Sequence, residues 1–391
     1  MRAALLLLIV SAACGSSKTE AGSTGSGYGS GYGSMASTPT PTPGLAPADP
    51  RVARGAVSYA KYCALCHAKD GTGYAADHAP SLVNDRFLRS ADDAFIARSI
   101  SLGRPNTPMA GYSKDLGGPL SDAEVDELVA WMRDGRARPE TLPPAHPGNA
   151  AAGATLYAQT CQKCHGDPAT RLEAVQLGHP TFLALASDAY LQYGIVHGRP
   201  GTPMEAFGDK LTPTQIDDLV AHLRSWATPY TPPAHQDPPV TPPQGPIVIN
   251  PKGKDPSFKL REDRFVASAD VAAALKQKRK MVIIDSRPPS DWLAVRIPGS
   301  ISVPHYEPAG LASVPNDGTW VLAYCACPHH ASGIIVDELR KRGYQHTAVI
   351  DEGILFWHQQ GFPVEGTAAA APIKGEPIPG GYPDPHAGHV H

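Results

Sequence analysis

Two segments of this chain, GAVSYAKYCALCH at 55–67 and GATLYAQTCQKCH at 153–165, repeat each other at an offset of 98. The likeness continues downstream. GRPNTPM (103–109) matches GRPGTPM (198–204) at an offset of 95, and LSDAEVDELVAWMR (120–133) matches LTPTQIDDLVAHLR (211–224) at 91. An offset that shrinks while the segments persist means short loop deletions in the second copy, so this part of the chain arose by tandem duplication. Each copy is only ~85 residues long, too small to bury a large core unaided.

Each copy carries one CxxCH. Alone, such a motif fits a redox dithiol or half of a zinc site. Two copies in matched contexts point instead to haem attachment: the thiols of Cys63, Cys66, Cys161 and Cys164 add across vinyl groups as thioethers, and His67 and His165 fall beneath the irons. On these motifs, residues 50–227 resemble the class I cytochrome c family. The resemblance implies two covalently bound haem c groups and a distal Met from a loop before each last helix. Met109 and Met204 stand there, each in a Thr-Pro-Met context, and they are two of only six Met in the chain. A His–Met pair raises the haem potential. Pro80 and Pro180 stand where the family places a proline whose carbonyl accepts the ring N–H of the ligand His. His78, His179, His197 and His222 are not retained between copies and are expected at the surface.

The flanks of each copy read as helices. Ser121 with Glu124, and Thr212 with Gln215, form capping boxes, and Pro213 suits a first helical position. Val125, Leu128, Val129 and Met132 recur at helical spacing, as do Ile216, Leu219, Val220 and Leu223, which predicts core faces packed on each copy's opening helix.

From about residue 258 the pattern becomes α/β. Strands are expected at 264–266, 281–285, 301–304, 320–324 and 347–350, with helices over 268–278, opened by Ser268, and 331–342, stopped by Gly343. VIIDSR (282–287), IPGSISVP (297–304), VLAYC (321–325) and VIDEGILFWHQQGFPV (349–364) resemble the rhodanese-like family over 258–366. The resemblance implies a catalytic Cys325 in a loop between a strand and a helix, where N–H groups stabilise a thiolate or persulfide. Asp285 and Arg287 read as support for this site.

The loop departs from the family pattern. It reads Cys325-Ala326-Cys327-Pro328-His329-His330, and Pro328 lacks an N–H. No Arg stands in the loop to hold a dianion such as thiosulfate, so His329 and His330, if protonated, would have to substitute. Cys327 offers a second thiol to accept or displace sulfur. Its disulfide with Cys325 would be strained and easily reduced.

The chain opens MRAALLLLIV, a positive charge and a short apolar run that reads as a signal peptide. Ser11-Ala12-Ala13-Cys14 resembles a bacterial lipobox with Ser where Leu is usual, which implies a lipidated Cys14; Ser-Ala-Ala also suits an ordinary cleavage site. Among 391 residues, 41 Pro and 38 Gly concentrate between compact modules. The expected organisation is therefore a signal peptide over 1–14, a flexible Gly/Ser/Thr/Pro tether over 15–48, and all-α cytochrome c domains at 49–138 and 148–227. A Pro-rich linker (228–257), an α/β rhodanese-like domain (258–366) and a flexible His-containing tail (367–391) follow. No later stretch is apolar enough to cross a membrane. A net charge of −3 argues against a nucleic-acid partner.

These features imply an exported electron carrier of the periplasm or cell surface, held to a bacterial membrane by lipid. Its partners would be other cytochromes or a terminal reductase or oxidase, and its rhodanese-like domain would handle sulfane sulfur, a small sulfur compound at Cys325, so that sulfur oxidation feeds electrons to the haems. One rival reading is an electron shuttle with a non-catalytic docking module. Another is a sulfurtransferase whose haems only sense redox state. In polyproline form, roughly 30 linker residues would span ~90 Å. Coupling sulfur chemistry to a haem therefore requires the chain to fold back.

Overall fold

The computed structural model describes residues 49–168, 170, 172–232, 245–326 and 329–369. Cys14, Cys327, Pro328, residues 233–244 of the linker and the tail from 370 lie outside them. The described residues fall in one compact unit, Ala48–His391. Among them, no helix is long and apolar enough to cross a membrane.

The first copy comprises α1 (Pro50–Tyr62), α2 (Ala64–His67), α3 (Asp85–Ser90), α4 (Asp93–Leu102) and α5 (Asp122–Arg133). The second repeats the order as α6 (Ala150–Thr160), α7 (Gln162–His165), α8 (Pro180–Leu185), α9 (Asp188–His197) and α10 (Pro213–Ser225). Both capping boxes form, and Pro213 takes the first turn of α10. The two apolar stripes are buried as their spacing predicts. They face α1 and α6, which α5 and α10 cross at Gly55 and Gly153. A Cβ on either glycine would lie 2.0 Å from a carbonyl oxygen, that of Glu127 or Asp218, so only glycine allows the approach. Arg133, 2% exposed, donates to the Leu88 and Ala91 carbonyls and to Asp93. Arg224 makes the same set with Leu183, Ala186 and Asp188. One arginine thus ties three helices together in each copy, buried in the first and half-buried in the second.

The two copies meet through equivalent residues. Asn84 caps α3 and His179 caps α8. Asn84 Nδ2 donates to the Pro200 carbonyl at 2.8 Å, while His179 Nε2 meets the Pro105 carbonyl at 2.9 Å. The rings of Phe95 and Tyr190, also counterparts, pack 4.8 Å apart. Each element pairs with its own copy, which is the pattern of a two-fold interface. His179 is accordingly buried rather than at the surface, because it serves this interface. His197 and His222 are half-buried in ring contacts with Tyr193 and with Tyr157 and Trp226, and His78 is exposed.

The third module comprises β1 (Phe265–Val266), α11 (Ser268–Lys276), β2 (Val282–Asp285), α12 (Pro289–Ala294), β3 (Ile301–Ser302), β4 (Val321–Tyr324), α13 (His330–Lys341), β5 (Thr347–Ile350) and α14 (Gly353–Gln359). The strands form a parallel sheet in the order β1-β5-β4-β2-β3. Every residue of β2, β4 and β5 is buried, because both faces of the sheet are covered. Val271, Ile354 and Trp357 pack on one face, and Ile335, Val336 and Leu339 on the other. Ser268 is the first helical residue of α11 rather than its cap, and its N–H donates to Glu352. Asp285 and Arg287 form a buried ion pair at 2.7 Å.

Candidate functional site

The CxxCH motifs make turns of their own. Cys63 ends α1 and precedes α2, so Cys66 and His67 lie on one short turn; Cys161 stands likewise between α6 and α7. The hydroxyl of Tyr59 donates to the carbonyls of His67 (3.0 Å) and Ala68 (2.6 Å), and that of Tyr157 donates to Gly166 at 2.8 Å. These tyrosines, at one position of the repeated segments, pin the backbone at or just after each His. Their identity in both copies was the available signal for that role.

His67 Nδ1 lies 2.8 Å from the Pro80 carbonyl and donates to it, which leaves Nε2 as the nitrogen whose lone pair can meet an iron. His165 does the same with Val175 at 2.8 Å. The acceptor in the second copy is therefore Val175, not Pro180. Pro180 opens α8 and is the counterpart of Asp85, which opens α3. Burial holds both imidazoles below their ordinary pKa, in the neutral form that a metal ligand needs. The Met loops are superposable in their bonding. Met109 N–H donates to Thr107 Oγ1 and its carbonyl accepts from Arg104 N–H, while Met204 pairs with Thr202 and Arg199 at the same distances of 3.2 and 2.7 Å. Two sulfurs, a neutral imidazole and a half-buried thioether suit haem c in each copy.

In the third module Cys325 follows β4, and its carbonyl accepts from Ile354 N–H. Its Sγ lies 3.3 Å from Ser332 Oγ on the first turn of α13, and the residue is 2% exposed. His329 has φ 83 and places its ring 4.2 Å from that of Phe265, with Nε2 2.7 Å from Asp351 Oδ1. Asp351 also pairs with Arg261 at 2.9 Å, and these partners hold its carboxyl below the usual range. His330 faces Asp77 of the first copy, Nδ1 to Oδ2 3.9 Å. Neither imidazole therefore stands open as a receptor for an anion.

The loop does not stand apart from the haem-attachment segments. Leu65, between Cys63 and Cys66, packs against Cys325 and Ala331. Around this contact Lys61 pairs with Glu307 at 3.2 Å, the rings of Tyr62 and Tyr306 meet edge-on at 4.8 Å, and Ser290 Oγ donates to the Gly111 carbonyl at 2.5 Å. Leu65 and Asp77 have no place in a reading that takes each motif singly. Leu65 lies within the first CxxCH and Asp77 shortly after it, yet their partners are some 250 residues downstream.

Comparison with known proteins agrees with this division. The family described as cytochrome C oxidase, cbb3-type, subunit III matches residues 50–132 and 148–223, and the rhodanese-like domain family matches 268–360. The Cbb3-type cytochrome c oxidase subunit FixP of Bradyrhizobium sp. is 31% identical over 184 residues, covering 44% of this chain and 60% of its own length. The subunit of the same name from Azorhizobium caulinodans is 29% identical over 182 residues, covering 44% and 59%. The chain thus spans about three fifths of the relatives it matches. The solved rhodanese-like domain of Anabaena sp. is 21% identical, covering 32% of this chain and 89% of its own, with a TM-score of 0.26. The chain therefore combines two cytochrome c domains, binding two covalent haem c groups, with a rhodanese-like domain that follows them.

Proposed function

We propose that this protein is an exported, lipid-anchored dihaem electron carrier in which sulfur oxidation at Cys325 feeds the haems. The observation that carries the reading is the packing of Leu65, from the first CxxCH, against Cys325 and Ala331. Cys63, Cys66, Cys161 and Cys164 would hold the haems through thioethers, with His67 and Met109, and His165 and Met204, as the residues that would ligate the two irons. When bound, haem c supplies a one-electron acceptor in each copy. Cys325 Sγ faces Ser332 Oγ on the first turn of α13.

Electron balance fixes the kind of chemistry. Moving sulfane sulfur onto a thiolate releases no electrons. Joining the Cys325 thiol to hydrosulfide makes a persulfide and releases two electrons and one proton, one electron for each haem. Cys327 is then placed in sequence to take the sulfur onward. The relatives are named as oxidase subunits, which supports a terminal oxidase or another cytochrome as the acceptor.

In stopped-flow work, hydrosulfide should reduce the haems of the intact protein at least ~10-fold faster than those of Cys325→Ser, a difference of about 1.4 kcal/mol in barrier. Equal rates would leave an electron shuttle with a passive third domain. For the anchor, Cys14→Ser should move the protein from the membrane fraction to the soluble exported fraction; a variant that stays with the membrane removes the lipid assignment.

A further inference from the structure

We propose that Asp77, a residue of the first cytochrome domain, sets the charge of the sulfur site and turns away dianions of the thiosulfate type. The site then takes a small, singly charged sulfur species, hydrosulfide. This inference rests on the function proposed above and adds which sulfur compound the site admits.

The two copies locate the residue. Ala76 N–H donates to the Cys66 carbonyl at 3.3 Å, and its counterpart Ala174 donates to Cys164 at 3.1 Å, an offset of 98. Pro80 and Val175, whose carbonyls serve the two ligand imidazoles, stand at an offset of 95. The first copy therefore carries three extra residues, 77–79, between these fixed points. Asp77 and His78 both adopt left-handed backbone, φ 52 and 50, a conformation uncommon outside glycine that Asp and His tolerate better than most. Ala79 N–H to Ala76 O (2.9 Å) and Tyr74 N–H to Ala79 O (2.7 Å) close the insertion. It delivers the Asp77 carboxylate to His330, both side chains being buried, 8% and 7% exposed. The insertion occurs in the copy that packs on the rhodanese-like loop, and the second copy lacks it.

The electrostatic consequence follows from who faces whom. The two imidazoles that would receive an anion beside Cys325 each meet a carboxylate, His329 that of Asp351 and His330 that of Asp77. Arg261 is engaged by Asp351 as well. Thiosulfate would bring two negative charges to Cys325, itself 2% exposed, in a loop whose two histidines face the carboxylates of Asp351 and Asp77, and repulsion between charges is weakly screened away from water. Hydrosulfide brings one charge and no oxygen atoms to accommodate. The two routes also differ in balance. Thiosulfate, the Cys325 thiolate and a proton give a persulfide anion and hydrogen sulfite, with no electrons released. Hydrosulfide and the Cys325 thiol give a persulfide, a proton and two electrons, for which two oxidised haems, when bound, would supply the acceptors.

The test uses the full-length, haem-loaded, oxidised protein offered sodium sulfide or thiosulfate. The readouts are the mass of the Cys325 peptide and the haem spectrum. Asp77→Asn should raise persulfide formation from thiosulfate by about tenfold or more, while the hydrosulfide rate stays within about twofold. Asp77→Glu keeps the charge and should keep the exclusion. No gain in Asp77→Asn, or an equal gain in Asp77→Glu, overturns the inference while leaving the proposed function standing. A Cys325 that gains no sulfur from either compound overturns the proposed function and this inference together.

Discussion

At the residue scale, His179 shows how one side chain reports an interface. Its Nδ1 accepts from Thr181 N–H while Nε2 donates to the Pro105 carbonyl, so the ring must be neutral. Burial holds its pKa down at about 4, against an ordinary value near 6.5. The unfolded chain therefore binds a proton between those values that the folded chain does not. Stability is full above pH 6.5 and is lost as pH falls toward 4. His179→Asn installs the capping residue that the first copy uses as Asn84, and Asn caps as well as any side chain. At pH 5 the native protein should lose about 2 kcal/mol relative to pH 7 through this group, and the variant should not. Unfolding free energies at the two pH values measure it, and an equal loss in the native protein and the variant would exclude the assignment. Sequence reading missed this role because it compared histidines only with histidines. The counterpart was an asparagine doing the same work.

At the element scale, what was legible lay close together in the chain. The capping boxes at Ser121 and Thr212, the stripes on α5 and α10, and the hydrophobic strands of the sheet are local patterns, and the structure contains each of them. The identity of the second copy's imidazole acceptor was not legible, because Pro180 is as near His165 in sequence as Val175 is in function. The three-residue insertion was visible as a change of offset, but its purpose depended on a contact with His330. Helix crossings make a sharper claim. Gly55→Ala or Gly153→Ala sets a methyl group into a carbonyl oxygen of the facing helix, so the helices must part. Each should destabilise its own cytochrome domain by about 3 kcal/mol, toward the upper end for overpacking. Denaturant unfolding of either variant within 0.5 kcal/mol of native would show that the crossing relaxes freely, about the scatter of ordinary surface changes.

At the scale of the whole molecule, the three domains could be counted from the sequence, but their arrangement could not. The Pro-dense linker allowed a wide separation, and Lys61, Tyr62, Leu65, Asp77 and Gly111 meeting Glu307, Tyr306, Cys325, His330 and Ser290 reveal that the third domain docks on the first. Nothing in the sequence pairs these residues when each is read singly. The two-fold pairing of the cytochrome domains has a different consequence, one of concentration. Two separate cytochromes meeting through Asn84–Pro200, His179–Pro105 and Phe95–Tyr190 would associate only where they were abundant. Residues 134–149 join them covalently, which fixes the effective concentration of one domain around the other at roughly millimolar, whatever the number of molecules in the cell. A weak interface is then sufficient, and a single copy of the protein, however dilute, already holds its pair of redox centres together.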